Sequence, residues 1–371
     1  MAELFIGLMS GTSLDGVDGV LADFNTSPLS VWAHASAALT PTLKAELLAL
    51  NQPGHNELHR AALAANAMMR IYAEVVTQLL AVSSMAPEHI TAVGAHGQTV
   101  RHQPQQFDGT GYTLQLANPA LLAELTGIDV VADFRSRDVA AGGQGAPLVP
   151  AFHQAVFGKA GQTMAVLNVG GMANLSVLGP ELTDDVQGFD CGPGNALMDA
   201  WCLRHRGQAF DDNGAWAASG QVHPDLLGTM LAEPFFALPP PKSTGRDLFN
   251  LDWLARQLGS FDHVAPVDVQ ATLTELTASA CATSVINYGF NSKQLIVCGG
   301  GAFNKRLMQR LQALLPGVAV TDSKAHGLPA QQVEAAAFAW LARKAIRREA
   351  LNLKNVTGTR GARVLGAIYP A

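Results

Sequence analysis

Asp190 is the side chain in this sequence best placed to act as a general base. It directly follows the predicted strand at 185–189 and precedes Gly192 and Gly194, so a strand would carry it and the glycines would leave room for a ligand. A carboxylate on a rigid element beside a substrate can accept a proton during catalysis. An aspartate in such a turn can also cap the following helix. Asn195 or the intervening residues could supply that cap instead, so the sequence favours a catalytic Asp190.

Two glycine-rich turns, one in each half of the chain, have the composition of phosphate-binding loops. Backbone N–H groups and hydroxyls that converge in such a turn can bind phosphate oxygens. Neither turn is a Walker A loop or a GxGxxG turn that opens a helix. The candidate residues are Gly11, Thr12, Ser13, Leu14, Asp15, Gly16, Val17 and Asp18 in the first turn, and Asn168, Gly170 and Gly171 in the second. Ordinary hairpin turns are the alternative, but two at matching places favour a clamp on a polyphosphate.

A third glycine cluster separates a predicted strand at 295–298 from a predicted helix that starts near Asn304. Gly299, Gly300 and Gly301 would let a flat ring or a phosphate approach the backbone and the N-terminus of the helix. A turn that packs a helix is the alternative, although three successive glycines exceed what a turn requires. These glycines and Asn304 join the candidate nucleotide site.

Polar residues at two predicted strand ends suit a small molecule with hydroxyl and carboxyl groups. Gln98 and Thr99 follow His96 at one end, and Arg135 and Arg137 lie at the other. His96 is expected to be a hydrogen-bonded structural residue. The arginines could pair with neighbouring aspartates on the surface; we expect one of them to contact substrate, and their spacing does not decide which.

Glu334 lies among alanines in a predicted C-terminal helix. A carboxylate is costly to bury without a partner, so the residues alone favour an exposed position for it.

The elements that must position these residues occur in a similar order in both halves. Apolar runs and helical periodicity predict strands at 5–9, 17–24, 30–35, 91–96, 112–117 and 128–132, with helices at 58–80 and 119–126. The second half has predicted strands at 164–169, 172–178, 185–189, 295–298 and 318–321, and helices at 195–206, 304–314 and 331–347. This order predicts an α/β protein with two mixed sheets flanked by helices and an inter-domain cleft.

Two domains are expected because the chain of 371 residues exceeds the usual size of one. The predicted N-terminal lobe is 1–132 plus about 348–371, and the predicted C-terminal lobe is 133–347. An insertion at about 207–267 is expected to be an elaborated loop region and a candidate contact of a homodimer.

Composition excludes several classes of protein. With 48% hydrophobic and 15% charged residues the chain is not generally disordered, and a net charge of −6 without a basic stripe disfavours a nucleic-acid partner. The four dispersed cysteines are predicted to be buried free thiols of a reducing compartment. The sequence has no basic leader and no apolar stretch near ~18 residues, which predicts a soluble cytoplasmic protein without a membrane partner.

A series of ordered motifs along nearly the whole chain resembles the anhydro-N-acetylmuramic acid kinases. The motifs lie at 11–18, 96–99, 133–138, 142–147, 168–174, 188–195, 242–247, 268–272 and 298–304. That family belongs to the sugar kinase, Hsp70 and actin superfamily. The resemblance therefore implies two ribonuclease H-like (actin-like ATPase) domains.

The resemblance also implies an activity. The enzyme would use ATP and Mg²⁺ to convert 1,6-anhydro-N-acetylmuramic acid to N-acetylmuramic acid 6-phosphate in bacterial cell-wall recycling. Asp190 matches the catalytic aspartate, which would deprotonate the water that attacks the anomeric carbon. Glu334, Thr99 and one of the two arginines would contact the sugar. Residues 11–18 would hold the ATP phosphates, and 299–301 would lie near the adenosine.

Two positions depart from the wider superfamily. Met9 stands where many members have an acidic residue, and Asn168 stands where aspartate is usual. The metal ligands therefore cannot be transferred; Asp18 and Asp190, through waters, are the candidates, since Mg²⁺ keeps much of its hydration.

Two other functions stay open at this point. One is a conventional kinase of another small sugar, in which Asp190 would deprotonate a substrate hydroxyl. The other is an actin- or Hsp70-like nucleotide-gated protein that hydrolyses ATP slowly. The absence of an added peptide-binding domain from the sequence disfavours the second.

Overall fold

Two β-sheets, one in each of two units, organise the chain in the computed structural model. The structure describes residues 2–11, 14–26, 28–181, 186–246 and 248–371. The first unit comprises Met1–Phe152 and Gln331–Ala371, and the second comprises His153–Ala330.

The sheet of the first unit has six strands in the order β13-β7-β4-β1-β2-β3. The strands are β1 (Leu4–Met9), β2 (Gly16–Asp23), β3 (Ser30–Ala38), β4 (Ala92–Ala95), β7 (Val130–Ala132) and β13 (Ala367–Tyr369). Strand β1 is antiparallel to β2 and parallel to β4. A separate hairpin consists of β5 (Gln98–Pro104) and β6 (Gly111–Leu116).

Local sequence explains the helices of this unit. They are α1 (Pro41–Ala49), α2 (Glu57–Ser83), α3 (Pro119–Thr126), α4 (Ser136–Ala140), α5 (Val149–Phe157), which crosses into the second unit, α12 (Val333–Ile346) and α13 (Lys354–Thr357). One apolar face of α2, including Tyr72, is buried as its periodicity predicts. Helix α3 starts where Asn118 Oδ1 accepts from the Leu121 N–H at 3.2 Å and ends at Gly127 in the left-handed region.

Helix α12 packs on β1 and β4 because glycines there allow close approach. A Cβ at Gly7 would lie 1.9 Å from the Ala335 carbonyl oxygen, and one at Gly94 would lie 2.1 Å from that of Phe338. The helix therefore belongs to the first unit.

The sheet of the second unit repeats the strand order of the first. Its five strands run β10-β9-β8-β11-β12, which matches β3-β2-β1-β4-β7. They are β8 (Met164–Val169), β9 (Met172–Leu178), β10 (Gln187–Pro193), β11 (Gln294–Cys298) and β12 (Ala319–Asp322). The pattern of parallel and antiparallel pairs is also the same. The predicted α/β class with two ribonuclease H-like mixed sheets is confirmed. Asp185, the predicted first residue of the third strand, lies outside the described residues.

The insertion contains short helices and a cluster of buried apolar residues, whereas the sequence predicted an elaborated loop region. The helices of the second unit are α6 (Ala196–Arg206), α7 (Ala215–Ser219), α8 (Pro224–Leu231), α9 (Leu251–Leu258), α10 (Pro266–Tyr288) and α11 (Lys305–Leu314). Aromatic residues of the insertion, among them Phe235, Phe249 and Trp253, bury against α6 and α10. The proline-rich stretch therefore lies within a segment that has its own apolar core.

The division of the chain differs from the one drawn from the sequence. The sequence placed 133–152 and 331–347 in the C-terminal lobe, whereas contacts group both with the first sheet. The cause for 331–347 is the packing of α12 on Gly7 and Gly94, which no local pattern reveals. All four cysteines are buried thiols outside any disulfide. Across the described ranges, no helix combines the length and apolar character needed to span a membrane.

Candidate functional site

Three polar residues form a row across the second sheet. The strand register pairs Asn168 of β8 with Asn174 of β9, and Asn174 with Asp190 of β10. Residues directly opposite each other on neighbouring strands project to the same face. Asn168 and Asp190 are buried, at 4% and 8% exposure. The row thus places the predicted base two strands from the predicted phosphate-binding asparagine.

Asp190 is held by the insertion and is not the cap of a helix. Its Oδ2 accepts from Ser243 Oγ at 3.0 Å and from the Thr244 N–H at 2.9 Å. Its own N–H donates to the Lys242 carbonyl oxygen at 3.0 Å. Asn195 occupies the N-cap position of α6, but its side chain makes no capping bond there and donates to the Val169 carbonyl oxygen at 3.2 Å. Asn195 thus takes the N-cap position, as the sequence allowed, but its side chain bonds to β8 instead.

The Gly170-Gly171 turn between β8 and β9 is fastened to the start of α6. The N–H groups of Gly194 and Asn195 donate to the carbonyls of Gly171 and Gly170 at 2.9 and 2.8 Å. A Cβ at Gly170 would have no neighbour closer than 3.7 Å, so the outer side of this turn has room for a ligand. The turn is rigid and approachable, which fits a phosphate-binding role.

The third glycine cluster lies against the end of β8. A Cβ at Gly299 would lie 2.4 Å from Asn168 Oδ1, and one at Gly301 would lie 2.4 Å from Val169 Cγ1. Packing against β8 therefore requires these two glycines, whereas Gly300 is exposed. Asn304 caps α11 by accepting from the Leu307 N–H at 3.0 Å.

In the first turn of the first unit, the described residues after Gly11 combine buried apolar side chains with two carboxylates. Leu14 and Val17 are buried in the core, and Asp15 lies 3.3 Å from the Lys44 ammonium. Asp18 is half-exposed and lies 3.6 Å from His34 Nε2. Thr12 and Ser13 lie outside the described residues. Any nucleotide contact from Leu14 or Val17 would come from the backbone.

Gln98 and Thr99 begin β5 beside that turn. Gln98 is buried, and its Nε2 donates to the Gly11 carbonyl oxygen at 3.2 Å. Thr99 Oγ1 accepts from Gln115 Nε2 at 3.2 Å. The structure therefore brings Gln98 to Gly11, although the two residues are far apart in sequence.

Arg135 is held in place by buried groups of its own unit. It donates to His96 Nε2 and, through Nη1, to the Gly145 carbonyl oxygen at 2.8 Å. Burial and the neighbouring guanidinium lower the pKa of His96 well below its usual range. Asp138 fixes the Gly145 peptide by accepting its N–H at 2.7 Å and the Thr357 hydroxyl at 2.8 Å. The pKa of Asp138 is raised above its usual value, because the effect of burial exceeds the opposing effect of these two hydrogen bonds.

Arg137 and Glu334 have different surroundings. Arg137 is exposed and lines a groove of about 820 Å³ together with Asp133 and Arg363. Glu334 lies in the first turn of α12 and is partly exposed, between the buried Val333 and Ala335. A carboxylate at this end of a helix interacts favourably with the helix dipole.

The described side chains offer few ligands for Mg²⁺. Within the described ranges, no three His, Cys, Asp or Glu side chains cluster as metal ligands. Mg²⁺ commonly uses only one or two carboxylates, with waters and substrate phosphates completing its octahedron. Asp18 and Asp190 each carry a carboxylate, which is the type of donor that this mode of binding uses.

Sequence reasoning did not assign roles to Ser243, Thr244 or Asn174. Both hydrogen-bond donors to Asp190 lie in the polar run at 242–247, which was noted as a motif without a role. Asn174 ends the motif at 168–174, and only the strand register puts it beside Asp190. Thr244 Oγ1 is buried and has no hydrogen-bond partner among the described residues, so a bound water or ligand would satisfy it.

Comparison with known proteins agrees with these motifs. Residues 3–371 match the family model described as anhydro-N-acetylmuramic acid kinase. The chain is 66% identical to the anhydro-N-acetylmuramic acid kinase of Albidiferax ferrireducens, over 100% of both chains. It is also 66% identical to that of Variovorax paradoxus, over 100% of this chain and 99% of the relative.

A solved structure supports the fold. Component A of the (R)-2-hydroxyglutaryl-CoA dehydratase of Acidaminococcus fermentans aligns with a TM-score of 0.51, over 91% of this chain and 96% of that chain. At 12% identity this likeness shows the fold alone. The family match over residues 3–371 and the two relatives at 66% identity are stronger evidence, and they show that the chain belongs to the anhydro-N-acetylmuramic acid kinase family.

Proposed function

We propose that this protein is an ATP-dependent kinase that hydrolyses the 1,6-anhydro bond of 1,6-anhydro-N-acetylmuramic acid and phosphorylates O6. The products are N-acetylmuramic acid 6-phosphate and ADP. The match of residues 3–371 to the family carries the proposal. The reaction needs a base at a defined position. Asp190 suits that role, because its carboxylate is buried and held by hydrogen bonds.

Asp190 begins the reaction by taking a proton from water, whose oxygen bonds to the anomeric carbon. The bond from that carbon to O6 breaks, and its electron pair passes to O6. O6 then attacks the γ-phosphorus of ATP as the bond to the β-phosphate oxygen breaks. Opening a bridged ring supplies driving force, and the nucleophilic oxygen is generated next to the phosphoryl group that it attacks.

Backbone groups are proposed to hold ATP. The N–H groups of residues 11–18 and of the Gly170-Gly171 turn would bind the phosphates, with Asn168 beside them. Residues 299–301 and Asn304 would lie near the adenosine, where the exposed Gly300 supports close approach. Mg²⁺ would neutralise charge on the phosphates, with Asp18 and Asp190 as its carboxylate donors through water.

Side chains of the first unit are proposed to bind the sugar. We assign the sugar carboxylate to Arg135 in preference to Arg137, because the first guanidinium is already oriented by His96 and Gly145. Gln98, Thr99 and Glu334 would bind the remaining polar groups.

The cellular setting is a further part of the proposal. We infer a cytoplasmic enzyme of cell-wall recycling and amino-sugar catabolism, without nucleic-acid or membrane partners, and a homodimer through the insertion. The net charge of −6 supports the inference about nucleic acid.

Mass spectrometry of the product tests the function. Purified protein, Mg-ATP and the anhydro sugar should give a product heavier than the sugar by one water and one phosphoryl group. In ¹⁸O-water, one ¹⁸O should appear at the anomeric carbon. A phosphorylated product without added water would indicate a conventional sugar kinase. ATP hydrolysis with no sugar product would indicate a nucleotide-gated protein, and either result would contradict the proposal.

A further inference from the structure

A short loop of the insertion, residues 242–244, lies against the predicted base. Strand β10 is at the edge of its sheet, so within the described residues one side of its backbone has no neighbouring strand. At Asp190 that side bonds to the loop, because the Asp190 N–H donates to the Lys242 carbonyl oxygen at 3.0 Å. The loop is therefore fixed at the backbone of the residue whose side chain it also contacts.

The same loop fixes the orientation of the carboxylate. Ser243 Oγ and the Thr244 N–H approach one oxygen, Oδ2, at 3.0 and 2.9 Å. Two donors from neighbouring residues define the plane and the rotamer of a side chain that would otherwise rotate about two bonds. The loop therefore orients the carboxylate through Oδ2.

The loop has its own anchor. The Lys242 ammonium donates to the carbonyl oxygens of Phe235 and Phe236, each at 3.3 Å, and lies 4.7 Å from the centre of the Phe235 ring. Phe236 packs on Gly192, where a Cβ would come within 2.6 Å of its ring. Lys242 therefore ties the loop to a segment that rests on β10 two residues beyond Asp190.

We propose that Ser243 and Lys242 are positioning residues: the loop 242–244 holds the Asp190 carboxylate in the orientation in which it accepts a proton from the attacking water. The inference rests on the proposed function and names residues that act through Asp190. It predicts that loss of the Ser243 hydroxyl affects the chemical step more than substrate binding.

Steady-state kinetics of matched variants tests the proposal. Ser243→Ala should lower kcat about tenfold or more, as expected for loss of a hydrogen bond to a charged group. KM for ATP and for the sugar should stay near the wild-type values. Ser243→Thr keeps the hydroxyl and should restore most of kcat, and Lys242→Met should also lower kcat. Ser219→Ala is the control, because that hydroxyl is exposed and bonds to the Trp216 carbonyl oxygen.

The results separate the two proposals. Active wild-type enzyme with unchanged kcat in Ser243→Ala would overturn the positioning role and leave the proposed function intact. Wild-type protein that forms no phosphorylated sugar would overturn the proposed function. Crystal structures then still test the loop: Ser243→Ala should show a second rotamer of Asp190, and a single wild-type rotamer would overturn the inference.

Discussion

Nε and Nη2 of Arg135 lie 3.1 and 2.9 Å from Nε2 of His96. A guanidinium only donates hydrogen bonds and stays protonated, so His96 accepts at Nε2 and is neutral. The strongly lowered pKa of His96 agrees with a neutral ring, because burial and the nearby Arg135 cation both disfavour a positive charge there. His96 therefore supports Arg135 structurally, as expected from the sequence.

Replacing the two arginines separately tests which of them binds the sugar. Arg135→Ala should raise KM for the sugar about tenfold or more, because hydrogen bonds to a carboxylate are charge-assisted. KM for ATP should change little. Arg137→Ala is the matched control, since that side chain is exposed and has no role in the proposed site. A larger effect of Arg137→Ala would reverse the assignment.

Asp190→Asn tests the base directly. The amide keeps the size of the side chain but cannot accept the proton from water, so kcat should fall about 10²–10⁴-fold. Nucleotide affinity, measured by isothermal titration calorimetry, should remain close to that of the wild type. Near-normal turnover would remove Asp190 from the role of base.

His153 should make the stability of the second unit depend on pH. Its ring is buried with Nδ1 2.8 Å from Ser176 Oγ, and burial lowers its pKa to about 3. The pKa of a histidine in an unfolded chain is about 6.5. Between these values the unfolded chain binds more protons, so the free energy of unfolding decreases as the pH falls.

The expected loss attributable to His153 is about 2 kcal/mol between pH 8 and pH 5. Urea unfolding of the wild type and of His153→Gln over this range measures it. The variant should have the shallower pH dependence, whatever its stability at pH 8. Identical slopes for the two proteins would contradict the prediction.

Two glycine substitutions should have opposite effects on stability. Gly7→Ala forces a methyl group into the backbone of α12, so it should lower the free energy of unfolding by about 3 kcal/mol or more. Gly228 is exposed within α8, and a Cβ there would meet no atom within 4 Å. Gly228→Ala should therefore increase stability by about 0.5–1 kcal/mol, because alanine has the higher helix propensity. Chemical denaturation measures both, and equal effects would refute the packing argument.

Elements with a strong local signal were predicted accurately. The bounds of β8, β9 and α3 match the structure, since apolar runs, a glycine pair and a proline after an asparagine mark their ends within a few residues. The long helix α10 was missed. Most of its residues are buried, so it lacks the alternation of polar and apolar faces that reveals a surface helix.

Some residues of the candidate site could likewise be predicted from the sequence, and others could not. Asp190 and the glycine-rich turns could be found because each depends on a short run of residue types with its own chemical character. Ser243 and Thr244 could not be connected with Asp190, since a polar run about fifty residues away carries no sign of what it contacts. The choice between Arg135 and Arg137 likewise depended on the buried histidine beside one of them.

Sequence by itself determined the family, the repeated order of elements and the identity of the proposed base, because these follow from local patterns of residue type. Tertiary structure decided that α12 covers the first sheet and that the insertion holds the Asp190 carboxylate. Those contacts join segments distant in the chain, and they form only where glycine backbones, strand edges and buried donors meet in space.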